Sequence, residues 1–530
     1  MYKKIVAILF IAVLFIPALL GIAASVAGVP VDVELKGFSD NAERPGFSGE
    51  GFASNEYQTQ FTAWFEETMP LRGVWTKAYA SLRYYLFSLG NRIVGTNGDI
   101  FEEDYVNVEF GIGDQYDLSL EENQAKMDRF VDTLVSVQEK LQKHGKYLYI
   151  YIPANKADFH AENVSQKYHN MTGDSYVGPL DYFEEKLSET SIPYLICADM
   201  KEELEYPAFY TTGIHWSRTF EQKVSARIVS ELSQITGKQY RPILLGDVKE
   251  STEPFRRDSD VYDLLNIWGK PGETYYEYEM SGEAASQYDS LRCLIYGDSF
   301  GQGLCMDYLA CYPMEDVSYI NRDNYVLDPN GAMTYLNHSW DFLDWEHYLS
   351  VSDVVVIEML EHLIIDETLG FVDALNTVLD TYEGTGYPYA KCIDAAASED
   401  WSYDSLKGVY HKEAGFVWAT QHSVATICDP ELSERGLELS FVVPQMLFAD
   451  GGPVTATVRI NGVELREVTY DQGWDGSLYF TPEELKPLET GDGLFSIEID
   501  CSHFFIPQDL GIGDDTRELS IQIRYIGGTR

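Results

Sequence analysis

Residues 291–305 read LRCLIYGDSFGQGLC. An apolar run ends in Gly297-Asp298-Ser299, and glycine returns at Gly301 and Gly303, so a lone serine stands in a turn built from small residues. Such a turn has two readings. It is a strand-to-helix junction in which Asp298 or Ser299 caps the next helix, or it holds a nucleophile at the carboxyl edge of a sheet, where open α/β folds gather their chemistry. A serine hydroxyl attacks only when a nearby base takes its proton. Of the 10 histidines, His215 has the comparable setting: FYTTGIHWSRTF places it in a loop just before a helix, with Ser217 as the expected N-cap. There it either faces Ser299 as a base or stacks on Trp216 as a surface loop residue.

The elements around these two residues must hold them at one edge. Met127, Phe130, Val131, Leu134, Val137 and Leu141 form one helical stripe within residues 123–144, and Gly145 ends it. KYLYIYIP then supplies a strand, a helix is expected over 180–189, and PYLIC supplies a second strand. Phe220, Val224, Ile228, Leu232 and Ile235 mark another helix from Ser217 to Ile235, and LRCLIY and DVVVIEM add two more strands. Short apolar strands alternating with helices imply a three-layer α/β domain on a mostly parallel sheet. Ahead of these, residues 58–90 read as two aromatic helices broken at Met69-Pro70, followed by a hairpin turning at Asn97-Gly98. Beyond about residue 400, LELSFVVPQM, TATVRINGVEL, SLYF, LFSIEID and RELSIQIRYI alternate without a helical stripe, which implies an antiparallel β-sandwich.

The 530 residues carry 85 acidic against 38 basic side chains, a net charge of −47, which excludes a nucleic-acid partner. Lys3 and Lys4 precede an uncharged run, Ile5 to Gly28, long enough to cross a bilayer with the remainder outside. A cleaved signal with Ser25-Val26-Ala27 as its site is the rival reading, and either one makes the body extracytoplasmic. The 7 cysteines lack a paired spacing, so neither a disulfide framework nor a structural zinc site is expected, and no cofactor is implied. The expected organisation is a transmembrane anchor or signal over 1–28, a linker over 29–57, the α/β domain over 58–399 and a carbohydrate-binding-like β-sandwich over 400–530.

Taken in order, several blocks resemble the SGNH-hydrolase-like domain of the alginate O-acetyltransferases AlgX and AlgJ. AWFEETMPLRG is followed by Gly95-Thr96-Asn97-Gly98-Asp99-Ile100-Phe101, then Pro153-Ala154-Asn155-Lys156, Gly213-Ile214-His215-Trp216, Gly297-Asp298-Ser299-Phe300 and VVVIEMLEHL. Histidine upstream of serine is that family's order, the reverse of ordinary SGNH hydrolases. The resemblance implies acyl transfer: Ser299 takes an acetyl group, His215 accepts its proton, and the group passes to a sugar hydroxyl. Backbone N–H groups at Ser299 and the small residues after it would hold the oxyanion, with Gly301 permitting close approach and Asp298 bracing the turn. It further implies a polysaccharide acceptor and a membrane-bound O-acyltransferase that supplies the acetyl group.

One position departs from the family. Two residues before the histidine AlgX and AlgJ carry an aspartate, and here stands Gly213. Loss of the acid that orients the imidazole costs a comparable triad about 10⁴-fold. Another carboxylate, such as Asp158 or Glu358, reaches His215, or a backbone carbonyl holds the ring, or the site is weakened. In the sandwich, Tyr470, Trp474 and Tyr479 are candidates for stacking on sugars or for filling the core, and Asp514-Asp515 for calcium or a solvated turn. The expected function is O-acetylation of a cell-surface or secreted polysaccharide by a membrane-anchored, outward-facing protein. The alternatives are a carbohydrate acetyl esterase and a non-catalytic glycan-binding or assembly protein.

Overall fold

YLYIYI and VVVIE are apolar on both faces, and in the computed structural model they lie side by side inside one sheet. The structure describes the chain from residue 33 onward with short interruptions, the longest at 38–42, 283–287, 328–332 and 398–404, and only isolated positions before residue 33. Strand β3 (Tyr147–Ile152) pairs in parallel with β4 (Tyr194–Ile196) and with β11 (Val354–Glu358). In turn β11 pairs with β7 (Cys293–Gly297), and β7 with β8 (Val317–Asn321), again in parallel. The antiparallel strands β9 (Tyr325–Leu327) and β10 (Met333–Tyr335) finish the 7-stranded sheet.

Alternate residues of each strand enter opposite cores, as the two-residue period demands. Tyr149, Tyr151, Cys293, Ile295, Val354 and Val356 pack under the helices Arg218–Thr236 and Ser299–Cys311. Leu148, Ile150, Leu294, Tyr296, Val355 and Ile357 meet the helix Glu121–Lys143, whose whole expected stripe from Met127 to Leu141 is buried. Helices thus cover both faces, which is the expected α/β/α layering. Cys197 and Cys293 are buried in the first of these cores.

Two pieces were not legible in the sequence. The hairpin of β5 (Ile243–Ser251) and β6 (Tyr275–Gly282) follows the Arg218–Thr236 helix; β5 is largely exposed and polar, so no apolar alternation marks it. In addition, β12 (Ile393–Asp394) pairs with β20 (Gln522–Gly528), so the carboxy-terminal sheet takes in residues ahead of 400.

That sheet also contains β13 (Leu406–Glu413), β14 (Phe416–Cys428), β15 (Leu437–Val443), β16 (Val454–Ile460), β17 (Val463–Tyr470), β18 (Trp474–Phe480) and β19 (Leu494–Cys501). Every pairing in it is antiparallel. The long strand β14 gives residues 417–418 to β20 and residues 422–428 to β19, so it belongs to both halves of the sheet. Both halves bury one shared core, including Leu439 and Phe441 from one and Ala456 and Val458 from the other.

The sandwich meets the α/β domain at the amino-terminal edge of the parallel sheet. Tyr389 donates to Asp316 at 2.7 Å and Lys407 reaches the same carboxylate at 2.5 Å, just before β8 begins. Arg241 bridges Glu315 at 3.1 Å and Glu498 at 3.2 Å. Arg241, Glu315, Asp316, Tyr389 and Glu498 border a cavity of about 920 Å³ between the two parts. Among the described residues no helix is long and apolar enough to cross a membrane. The Ile5–Gly28 run lies outside the described residues, apart from isolated positions.

Candidate active site

Ser299 is the first residue of the helix Ser299–Cys311, directly beyond the last residue of β7. Asp298 is the N-cap, and its side chain accepts from the Phe300 N–H at 2.8 Å, so the capping reading of the turn holds, with Ser299 placed at the carboxyl end of β7. The turn is gripped from beneath by the ends of neighbouring strands. Glu358, at the end of β11, accepts from the Asp298 N–H at 2.7 Å and the Gly301 N–H at 3.2 Å. Tyr319 donates to the Asp298 carbonyl at 2.5 Å, and Tyr151 to the Phe300 carbonyl at 3.3 Å. A Cβ on Gly297 would lie 2.4 Å from Glu358 Oε2, which explains the glycine at that place. Burial, reinforced by Asp298, pushes the Glu358 carboxyl well above the usual carboxylate range.

His215 faces the serine. Its Nε2 lies 2.5 Å from Ser299 Oγ, and its Nδ1 lies 2.5 Å from Asp260 Oδ2. The other oxygen of Asp260 accepts from the Ile214 N–H at 3.1 Å. A carboxylate on Nδ1 selects the tautomer that leaves Nε2 free to take the serine proton. The imidazole packs at a tilt against Phe300, with ring centroids 4.8 Å apart, and Trp216 packs edge-on against that same ring. Ser217 caps the following helix through the Phe220 N–H, as expected.

Asp260 went unnoticed in the sequence. It comes from the segment 253–262, EPFRRDSDVY, where nothing distinguishes one aspartate among 85 acidic residues. Its neighbours fix its position. Buried Asp258 accepts from the Arg218 N–H at 2.7 Å at the start of the histidine helix, and burial raises its carboxyl to about 7. Arg256 reaches Glu221 at 3.0 Å on that helix and Asp307 at 2.9 Å on the serine helix. Arg257 donates to the Ser299 carbonyl and, at 2.5 Å, to Gln302.

Gly213 now has a physical reason. A Cβ there would lie 2.5 Å from the Asp258 carbonyl oxygen and 3.0 Å from its carbon. The backbone that delivers Asp260 occupies the space a side chain at 213 would need. Neither suggested substitute acts on the histidine: Glu358 sits under the serine turn, and the electrostatic neighbours of Asp158 are Lys201 and Asp181.

The oxyanion expectation needs one correction. The Gly301 N–H is directed at Glu358, so it is not offered to a substrate. Phe300 N–H is taken by Asp298 and Gln302 N–H by the Asp298 carbonyl. Among the described residues the Ser299 N–H is the first-turn amide left for a developing oxyanion, at the positive end of the helix. Asp298 braces the turn, and its side chain accepts from the Phe300 N–H rather than from His215.

Two further blocks converge on the histidine loop. Lys156 is fully buried and donates to the carbonyls of Tyr210 at 2.7 Å and Gly213 at 2.8 Å. Its ammonium also meets Asp99 at 3.5 Å, and burial brings its pKa down to about 8. Asp99 belongs to the hairpin of β1 (Ile93–Val94) and β2 (Ile100–Phe101), and Ile100 N–H donates to the Thr211 carbonyl at 2.8 Å. In the sandwich, Tyr470 is core and Trp474 packs against it and Phe441, whereas Tyr479 is 55% exposed. Asp515 pairs with Arg517 at 2.7 Å, and Asp514 lies outside the described residues.

No family model matches the chain, and no curated protein matches it. Among solved structures it is similar to the O-acetyltransferase domain of Pseudomonas putida AlgJ, with 12% identity over 54% of this chain and 99% of that one, at a TM-score of 0.35. It is similar to Pseudomonas aeruginosa AlgX, with 11% identity over 84% of this chain and 96% of that one, at a TM-score of 0.36. It is also similar to Bacillus cereus PatB1, with 9% identity over 45% of this chain and 90% of that one, at a TM-score of 0.28. These neighbours include both proteins that the order of the motifs resembles. At such identities and scores the functional reading rests on the site itself.

Proposed function

We propose that the chain is an O-acetyltransferase that carries an acetyl group on Ser299 and delivers it to hydroxyls of a cell-surface or secreted polysaccharide. The observation that supports this most is the unbroken relay from Asp260 through His215 to Ser299, with 2.5 Å at each step. His215 Nε2 takes the proton as Ser299 Oγ bonds to the acetyl carbonyl carbon. The tetrahedral oxyanion meets the Ser299 N–H, a kind of donor worth roughly 3 kcal/mol of barrier. Collapse expels the donor's oxygen, which takes the proton from His215. An acceptor hydroxyl then repeats the sequence in reverse, losing its proton to His215 and leaving as the acetyl ester.

Gly213 in place of the family aspartate favours a non-catalytic reading, and Asp260 on His215 Nδ1 supports the catalytic one against it. The proposal keeps a membrane-bound O-acyltransferase as acetyl supplier and an outward-facing location behind a single amino-terminal span. An acetyl esterase shares every step except that water replaces the sugar. The test uses the full chain beside Ser299→Ala and His215→Ala, with a chromogenic acetyl ester, intact mass and an added acceptor glycan. We expect an acetyl adduct on the unaltered chain, loss of turnover by about 10⁶-fold in both variants, and acetate moved to the glycan faster than to water. Equal rates in all three proteins would overturn the enzyme reading, and release to water alone would make the protein an esterase.

A further inference from the structure

Trp75, Tyr79, Leu82 and Leu86 recur at spacings of four, three and four residues along the helix Arg72–Phe87. That spacing puts them on one face. All are exposed, from 38% at Trp75 to 67% at Leu86. The opposite face of the helix is spoken for. Ala80 and Tyr84 pack on a small core of Val261, Leu265 and Ile267, and Ser81 accepts from the Trp268 N–H at 2.9 Å. The outer stripe is therefore a surface of a fixed helix rather than a fraying end.

Its charge is unusual for this molecule. The helix has Arg72, Lys77 and Arg83 and no acidic residue, in a chain whose net charge is −47. Arg72 stands three residues before Trp75, and Arg83 four after Tyr79 with its guanidinium 5.6 Å from that ring, so both flank the stripe. Tryptophan, tyrosine and leucine bordered by arginine are the composition of a helix lying in the headgroup region of a bilayer. The preceding helix, Glu56–Thr68, buries no residue at all and leaves Phe65 49% exposed.

We propose that the outer face of the Arg72–Phe87 helix seats the protein on an anionic lipid surface. This does not rest on the catalytic reading. It sets a geometry: Val261, on which the inner face packs, directly follows Asp260, so the candidate site would stand beside the membrane rather than at the end of a tether.

The test places p-benzoylphenylalanine at position 79 or 82 of the full chain, in vesicles of phosphatidylcholine with about one-quarter phosphatidylglycerol. Exposed position 479 of the sandwich serves as control. After irradiation, mass spectrometry identifies what has been captured. We expect lipid adducts at 79 and 82 at least about fivefold above those at 479, falling towards the control level when Arg72→Gln and Arg83→Gln are combined. Lipid capture equal at all three positions would overturn the proposal. So would capture of a second copy, of residues 5–28 of the same chain, or of nothing. Failure here leaves the serine chemistry untouched, because turnover of a small ester is measured without vesicles.

Discussion

At the scale of single residues, Gly213 and Asp260 depend on each other, because the backbone leading to Asp260 fills the space beside Gly213. The resemblance by itself predicts that Gly213→Asp restores a missing acid. The geometry predicts the reverse, because the new Cβ would stand 2.5 Å from the Asp258 carbonyl oxygen and push out the segment that brings Asp260. Turnover of a small acetyl ester should therefore fall in Gly213→Asp by up to about 10⁴-fold, the loss also expected for Asp260→Asn through the wrong histidine tautomer. Steady-state rates on both variants decide it, and a gain of activity in Gly213→Asp would refute the assignment of Asp260. The serine and the histidine were legible because glycine, tryptophan and an N-cap serine mark their loops. The acid was not, because its role comes from a fold that brings it to His215 across 45 positions.

At the scale of elements, three loops from distant parts of the chain hold the histidine. The buried Lys156 ammonium clamps the carbonyls of Tyr210 and Gly213, and Asp99 from the β1–β2 hairpin balances its charge. Removing one member of a buried pair strands the other, at about 3–5 kcal/mol. Lys156→Met should lose about that much stability by denaturant unfolding. In the fraction still folded, turnover should drop while KM for a small ester holds, since the hydrogen bonds of the lysine go to carbonyls of the histidine loop. Unchanged turnover would assign Lys156 to the core alone. The sequence blocks around Asp99 and Lys156 were recognisable as motifs, but their shared target is a property of the packed loops.

At the scale of the whole molecule, the two parts meet at the edge of the parallel sheet opposite Ser299. Arg241 ties them together through Glu315, which is almost fully buried, and Glu498. Arg241→Met should lower the thermal midpoint, as expected for unpairing buried carboxylates. It should leave turnover of a small ester within about twofold, because the serine site lies across the sheet. A large loss of turnover with an unmoved midpoint would contradict this layout. Proton linkage gives a second expectation. Burial pushes Glu109 and Asp258 up to about 7 and Glu361 up to about 8. These groups hold protons in the folded chain where the unfolded chain has released them, so stability falls as pH rises from about 4.5 through about 8. Self-repulsion at a net charge of −47 acts in the same direction. Calorimetry should find a midpoint several degrees higher at about pH 5 than at about pH 8. A midpoint rising over that interval would refute the expectation.

Local pattern alone determined a good deal. The period of two in the strands and of 3.6 in the helices was enough for the layered α/β domain, because burial of an apolar face is written residue by residue. Turn chemistry was enough to mark Ser299 and His215 as candidates, since glycine and capping residues act on their immediate neighbours. Tertiary structure decided what depends on distance through space: the acid on the imidazole, the carboxylate that takes the Gly301 N–H, and the edge on which the sandwich sits. Each of these is a contact between side chains or loops far apart in the chain, set by how the elements pack and unmarked by any local periodicity.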